Sequence, residues 1–121
     1  MIKSFKDLEV YKESYELSLE VYRLSRDFPV EERYGFSSQV QRASISIPLN
    51  IAEGYGKQES TAEFKRYIRM AMGSANEMLV LLDLSRDLGY AGVEAVTNLQ
   101  ERYLILAKKL YRLGEKWQKK L

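Results

Sequence analysis

The sequence contains neither cysteine nor histidine. Without cysteine there is no disulfide framework, no thiolate nucleophile and no thiolate metal site. Without histidine there is no imidazole base for a serine hydrolase and no imidazole ligand. Two-metal carboxylate bundles rely on Glu-x-x-His pairs, so that design is excluded too. Two prolines and seven glycines in 121 residues are too few for a loop-rich or all-β chain. No apolar run approaches the roughly 20 residues that a membrane-spanning helix needs. The first residues, Met1-Ile2-Lys3-Ser4-Phe5-Lys6-Asp7, lack a signal-peptide core. One domain over residues 1–121, in the cytoplasm and without a membrane partner, is the expectation.

What is present is helical periodicity and an uneven charge. Residues 102–121 carry seven Lys/Arg against one acid, while the rest carries twelve against sixteen. A moderately acidic body therefore ends in a basic segment.

The first helix is predicted from about Lys6 to Asp27, opened by a capping box at Ser4-Phe5-Lys6-Asp7. It carries two apolar seams. Val10, Ser14, Leu17, Val21, Leu24 and Phe28 form one, and Leu8, Tyr11, Tyr15, Ser18, Tyr22 and Ser25 the other. Together they cover roughly 200°, twice the width that one core requires. Either two neighbours enclose the helix, or its tyrosine side meets another subunit. Phe28-Pro29 ends it. A short connection over Val30–Gly35, with one turn at Glu31-Glu32-Arg33, leads to a second helix over Phe36–Gly54.

That second helix holds Pro48 in its interior. The missing N–H leaves the Ser44 carbonyl without its helical partner, at a cost of roughly 3 kcal/mol. A polar stripe, Gln39, Arg42, Ser46, Asn50 and Glu53, runs along the same helix. With Asn76 and Glu77 of the third helix, it is expected to satisfy itself and the freed carbonyl, with Glu53 and Glu77 near the core. The other reading of the stripe is a ligand or partner site. Gly54 and Gly56 are read as the helix stop. Ser60-Thr61-Ala62-Glu63 caps a third helix reaching about Leu88. Gly73, in its middle beside Ser74, is expected to admit another backbone closely. After Gly89-Tyr90-Ala91-Gly92, a fourth helix shows the seam Val96, Leu99, Tyr103, Leu106, Leu110, Leu113 and Trp117, spaced by threes and fours. The fold class is all-α, an antiparallel up-and-down four-helix bundle, oligomeric.

No catalytic residue, metal site or cofactor emerges, and the chain reads as a non-enzyme. Gly54-Tyr55-Gly56-Lys57 lacks the strand–helix context of a phosphate loop. The positive signal is the fourth helix. With Leu110 at zero, Arg102, Lys108, Lys109, Arg112, Lys116, Lys119 and Lys120 fall between about 160° and 280°. Such a stripe suits phosphate backbones through counterion release. A solvated face near a helix C-terminus is the plainer reading. Lys57, Lys65, Arg66 and Arg69 form a second basic cluster.

Several runs together resemble a known family. They are Phe28-Pro29 with Glu32, then Tyr34-Gly35-Phe36-Ser37-Ser38-Gln39-Val40-Gln41-Arg42-Ala43, then Ser46-Ile47-Pro48-Leu49-Asn50-Ile51-Ala52-Glu53-Gly54, and Gly73-Ser74-Ala75-Asn76-Glu77. They are similar to the "four helix bundle protein" family, whose members include proteins encoded in intervening sequences of bacterial 23S ribosomal RNA genes. The resemblance covers nearly the whole chain, although the fourth helix matches only by pattern. It implies a barrel-like homopentamer and supplies no catalytic residues. A related accessory protein of diversity-generating retroelements, a pentameric bundle with a basic surface, works with a reverse transcriptase and nucleic acid. Arg42, Ser46, Pro48, Asn50, Glu53, Gly54, Gly73, Ser74 and Glu77 are the signature positions, expected to be structural. Tyr11, Tyr15, Tyr22 and Tyr111 are the candidate subunit contacts. The expected partners are further copies of the chain and RNA or another nucleic acid. The alternative is a scaffold that docks a partner protein and has no nucleic-acid role.

Overall fold

The computed structural model describes residues 1–117, and all regular structure among them is helical. Helix α1 spans Glu9–Ser25, α2 Phe36–Gly56, α3 Thr61–Asp87 and α4 Val93–Lys116. The predicted capping box exists, but it closes a separate 3-10 turn at Phe5–Asp7. Ser4 Oγ accepts from the Lys6 amide at 3.1 Å, and the Asp7 carboxylate accepts from the amides of Lys3 and Ser4. Leu8 is then extended and buried, so α1 begins at Glu9 rather than Lys6. The turn expected in the first connection is a 3-10 turn at Val30–Glu32. Ser60 caps α3 as predicted, its hydroxyl accepting from the Glu63 amide at 3.2 Å.

Helix α2 packs on both α1 and α3, and α3 on both α2 and α4, whereas α1 and α4 touch only lightly. The core lies between the apolar faces. Leu17 and Val21 of α1 meet Ile47 and Ile51 of α2, Phe64 and Met78 of α3, and Leu106 and Leu110 of α4, all essentially inaccessible to water. Aromatic groups close both ends. Phe28, Phe36 and Tyr90 pack together at one end, with the Tyr90 hydroxyl donating to Glu32 at 2.8 Å. At the other, Trp117 stacks on Phe64 with centroids 4.2 Å apart. Gly89, with φ of 79°, turns the chain out of α3.

The carbonyl freed by Pro48 finds its donor on α1. The Ser18 hydroxyl is shared between the carbonyls of Ser14 at 2.9 Å and Ser44 at 3.0 Å, fully buried. This corrects the expectation that the polar stripe of α2 supplies the partner. A proline inside a helix leaves a buried acceptor that costs about 1–3 kcal/mol unless it is met. Here one side chain of the neighbouring helix meets it, which also fixes the register of α1 against α2. The alternation in the second seam of α1 follows. Ser18 and Ser25 turn inward to α2, while Tyr15 and Tyr22 stay 48% and 38% exposed.

Two glycine readings are also corrected. Gly54 does not stop α2, which continues to Gly56. It is buried at the crossing with α3, where a Cβ would lie 2.9 Å from Tyr67 Cβ and 3.4 Å from the Phe64 carbonyl oxygen. Gly73, in contrast, is exposed, and no atom of the chain's described residues lies within 4 Å of a Cβ built there. The close approach expected at Gly73 occurs at Gly54.

Tyr103 is wholly buried on α4, and its hydroxyl has no hydrogen-bond partner among the described residues. Burial raises its pKa well above the ordinary phenol range. An unmet buried hydroxyl is a net cost. Tyr103→Phe is therefore expected to stabilise the fold by about 1 kcal/mol, read as a higher urea midpoint at unchanged slope. A lower midpoint would show that the hydroxyl is satisfied.

Candidate nucleic-acid interface

Helix α4 divides its cations into two sets. Arg102 and Lys109 lie on the edge nearest α1, which presents a line of acids. Arg102 Nη2 binds the Glu20 carboxylate at 2.6 Å. Lys109 Nζ reaches Glu9 at 2.8 Å and Glu13 at 2.6 Å. These bonds lower the pKa of Glu20 and Glu9, and raise those of Arg102 and Lys109. Lys108, Arg112 and Lys116 occupy the outer line of the helix. All three are exposed, and none has an ion-pair partner among the described residues. Lys119 and Lys120 lie outside the described residues.

The helical spacing alone puts all these cations on one stripe opposite the core. The signal that two of them are engaged was the narrow polar remainder of the first helix, where Glu9, Glu13, Glu16 and Glu20 recur every three or four residues. Beneath the ion pairs runs a groove of about 460 Å³ with Leu17 and Ile105 in its walls. Ion pairs thus line the outside of the α1–α4 seam, whose inside is the buried Leu17, Val21, Leu106 and Leu110.

A pH effect follows from the two lowered carboxylates. Their ordinary value is 4.5, so the stability they lend is present above that pH. It is lost as pH falls through their depressed folded values. Protection of the α1 and α4 amides, relative to their intrinsic exchange rates at each pH, is expected to fall below pH 4.5 before α2 and α3 respond. Salt at neutral pH should loosen the same seam, because the pairs are partly exposed. A uniform loss of protection across all four helices would contradict this.

The second basic cluster is partly engaged within the chain. Lys57 Nζ donates to the Tyr67 hydroxyl at 3.1 Å, and Arg66 pairs with Glu63 at 2.9 Å. Lys57 and Arg66 also lie over the Tyr67 ring. Arg69 is exposed and Lys65 half-buried.

The signature polar residues form no closed internal network. Ser46 donates to the Ala43 carbonyl at 2.7 Å, and Asn50 to the Ser46 carbonyl at 2.8 Å, both within α2. Arg42, Glu53, Asn76 and Glu77 are exposed, so the expected placement of Glu53 and Glu77 near the core is overturned. Arg42, Ser46, Ser74 and Glu77 instead line an open polar groove of about 510 Å³ between α2 and α3. Among the described residues, no group of three or more potential metal ligands occurs. Of the four tyrosines, Tyr11 is half-buried, Tyr15 and Tyr22 are exposed as noted, and Tyr111 is 58% exposed.

An all-α protein of four packed helices, with a basic outer line on the last, is the class these features define. A family model described as "23S rRNA-intervening sequence protein" matches residues 6–112, and the chain belongs to that family. No curated protein matches it in sequence. Among solved structures, it is similar to a protein of unknown function from the S23 ribosomal protein family of Bacteroides thetaiotaomicron. That likeness has 24% identity and a TM-score of 0.79, over 88% of this chain and 96% of the other, and it speaks to the fold. No helix of the described residues is long and apolar enough to cross a membrane.

Proposed function

We propose that the protein is a non-enzymatic, homo-oligomeric accessory protein that binds nucleic acid through the outer line of α4. The chain acts as one antiparallel up-and-down bundle in the cytoplasm, and the family resemblance implies a pentamer. The observation that carries this reading is the division of cations on α4. Lys108, Arg112 and Lys116 recur every four residues, about 6 Å apart along the axis, and their charges are not spent on acids of the chain's described residues. Such a line meets phosphates and carries no base-reading code, so affinity should be salt-dependent and sequence preference weak. The family's name refers to sequences that intervene in 23S ribosomal RNA. A structured RNA is therefore the first ligand to test. In an assembly these lines repeat around the surface, and their fields add.

The test is RNA binding across a salt series. Reversing Lys108, Arg112 and Lys116 to Glu is expected to weaken binding at least tenfold at low salt. It should also flatten the slope of log K against log salt by about 2–3, at roughly 0.7–0.9 per phosphate contact. Equal affinities for the two proteins would remove the proposal. A second reading, a protein-docking scaffold, is favoured by the apolar side chains left outside the core on α1, α2 and α3. Under that reading, partners captured from cells survive nuclease and high salt.

A further inference from the structure

Ser14, Ser18, Ser25, Ser37, Ser44 and Ser85 are the buried serines among the described residues. All but one donate their hydroxyls to backbone carbonyls of their own helix. Ser37 is the exception. It is 6% exposed, and its hydroxyl has no hydrogen-bond partner among the described residues. Such a hydroxyl has given up water and gained nothing in return. A polar group in that state points to a ligand.

Ser37 lines a small pocket of about 230 Å³, at the end of the bundle that Phe28, Phe36 and Tyr90 close. Arg26 and Arg33 line it too. Both are exposed, and neither is ion-paired among the described residues. Phe28 and Val30 belong to its apolar walls. Gln41 and Ser25 complete the polar lining and are already bound to each other at 2.8 Å. No acid lines the pocket. Of the acids in the same connection, Glu32 is engaged by the Tyr90 hydroxyl, and Asp27 and Glu31 are exposed.

Helix α2 begins at this pocket. Its N-cap is Gly35, so no side chain caps it. The Phe36 amide has only a long contact to Glu32, at 3.5 Å, and the amides of Ser37 and Ser38 have no partner among the described residues. The aligned peptides of the helix leave a partial positive charge at this end.

Two unpaired guanidinium groups, an idle hydroxyl and the positive end of a helix favour one kind of ligand, a tetrahedral oxyanion. The arginine fork matches two phosphate oxygens, and helix-start amides suit the same group. Ordinary small-molecule sites begin at roughly 300 Å³. The pocket is smaller, so it has room for a phosphate group and not for a whole nucleotide.

We infer that the pocket at the start of α2 binds a phosphate group, with Arg26 and Arg33 as its charge partners and the Ser37 hydroxyl as a donor. The group is inorganic phosphate or the terminal monoester of an RNA strand. Lys116 lies beside Trp117 at the opposite end of the bundle, so the site is separate from the outer line of α4. It stands whether or not that line binds nucleic acid.

The test is amide NMR of the protein titrated with sodium phosphate, with sodium chloride of equal ionic strength as the reference. The Ser37 and Ser38 amides are expected to shift and saturate in phosphate and to stay in place in chloride. Arg26→Gln combined with Arg33→Gln should weaken the apparent affinity about tenfold or more. Ser37→Ala should weaken it several-fold. Lys108→Gln combined with Arg112→Gln removes the same charge elsewhere and should leave it unchanged. These four cations are exposed, so helicity should hold in both double variants. Short RNAs with and without a terminal phosphate identify the source. If only the phosphorylated strand shifts the same amides, the site takes a strand end. If inorganic phosphate alone shifts them, it takes the free ion. Shifts that fail to saturate, that chloride reproduces, or that weaken equally in the two double variants overturn the inference.

Discussion

Ser18→Ala is expected to destabilise the protein by about 1–3 kcal/mol, far more than a surface serine would. The hydroxyl removed is the donor, outside α2, to the carbonyl that Pro48 strands. Without it, a buried acceptor keeps its desolvation cost and gains nothing in return. The cause can be separated from ordinary packing loss by a double-mutant cycle. Pro48→Ala restores an N–H to α2, giving the Ser44 carbonyl a partner within its own helix. In that background, Ser18→Ala should cost at least about 1 kcal/mol less than in the wild type, a coupling well above the error of such cycles. Pro48→Ala alone combines opposed effects: relief of the helix-interior proline, and loss of ring packing at a buried position. Its own sign is therefore less informative than the coupling. Equal Ser18→Ala costs in both backgrounds would show that the carbonyl is not what the hydroxyl serves.

Gly54→Ala should be destabilising by about 1–3 kcal/mol, although alanine is the better helix former. The new methyl would sit 2.9 Å from Tyr67 Cβ, an atom fixed to the α3 backbone, and 3.4 Å from the Phe64 carbonyl oxygen. Neither can rotate away, so α2 and α3 must separate along their extensive contact. Gly56→Ala is the control, two residues further along the same helix. Among the described residues nothing lies within 4 Å of a Cβ there, and the site is exposed. Neutrality or a small gain is expected. Urea unfolding of the two variants decides the matter, and equal midpoints would show that the α2–α3 crossing is looser than described.

Most of the helices could be read from the chain because each carries a local signal. The threes-and-fours seam of α4 buries Val96, Leu99, Tyr103, Leu106 and Leu110 as its spacing implies. Ser60 caps α3, and Phe28-Pro29 separates α1 from α2. Local signals also misled. Ser4 and Asp7 form a genuine capping box, but the chain spends it on one 3-10 turn. Gly54 looks like a stop because glycine ends many helices, and only the path of α3 reveals it as a crossing point.

What was least legible depends on tertiary register. The stranded carbonyl of Ser44 follows from Pro48 alone, but its donor follows from which turn of α1 lies opposite. Ser18 recurs in an apolar seam among tyrosines, and that polar residue at a core-facing position was the available clue. Likewise, Arg102 and Lys109 cannot be told from Lys108 and Arg112 by the α4 sequence. The acids of α1 separate them, and only after α1 and α4 are brought side by side. The outer line of α4 is a better-defined candidate surface for that reason.

The account turns on apolar helix surface that one chain leaves uncovered, at Tyr15, Tyr22 and Leu49 and along α3. Light scattering of the wild-type protein at micromolar concentration tests this most directly. A mass several times 14.1 kDa, five times it if the family resemblance holds in full, is the predicted result. A single species of 14.1 kDa would contradict it.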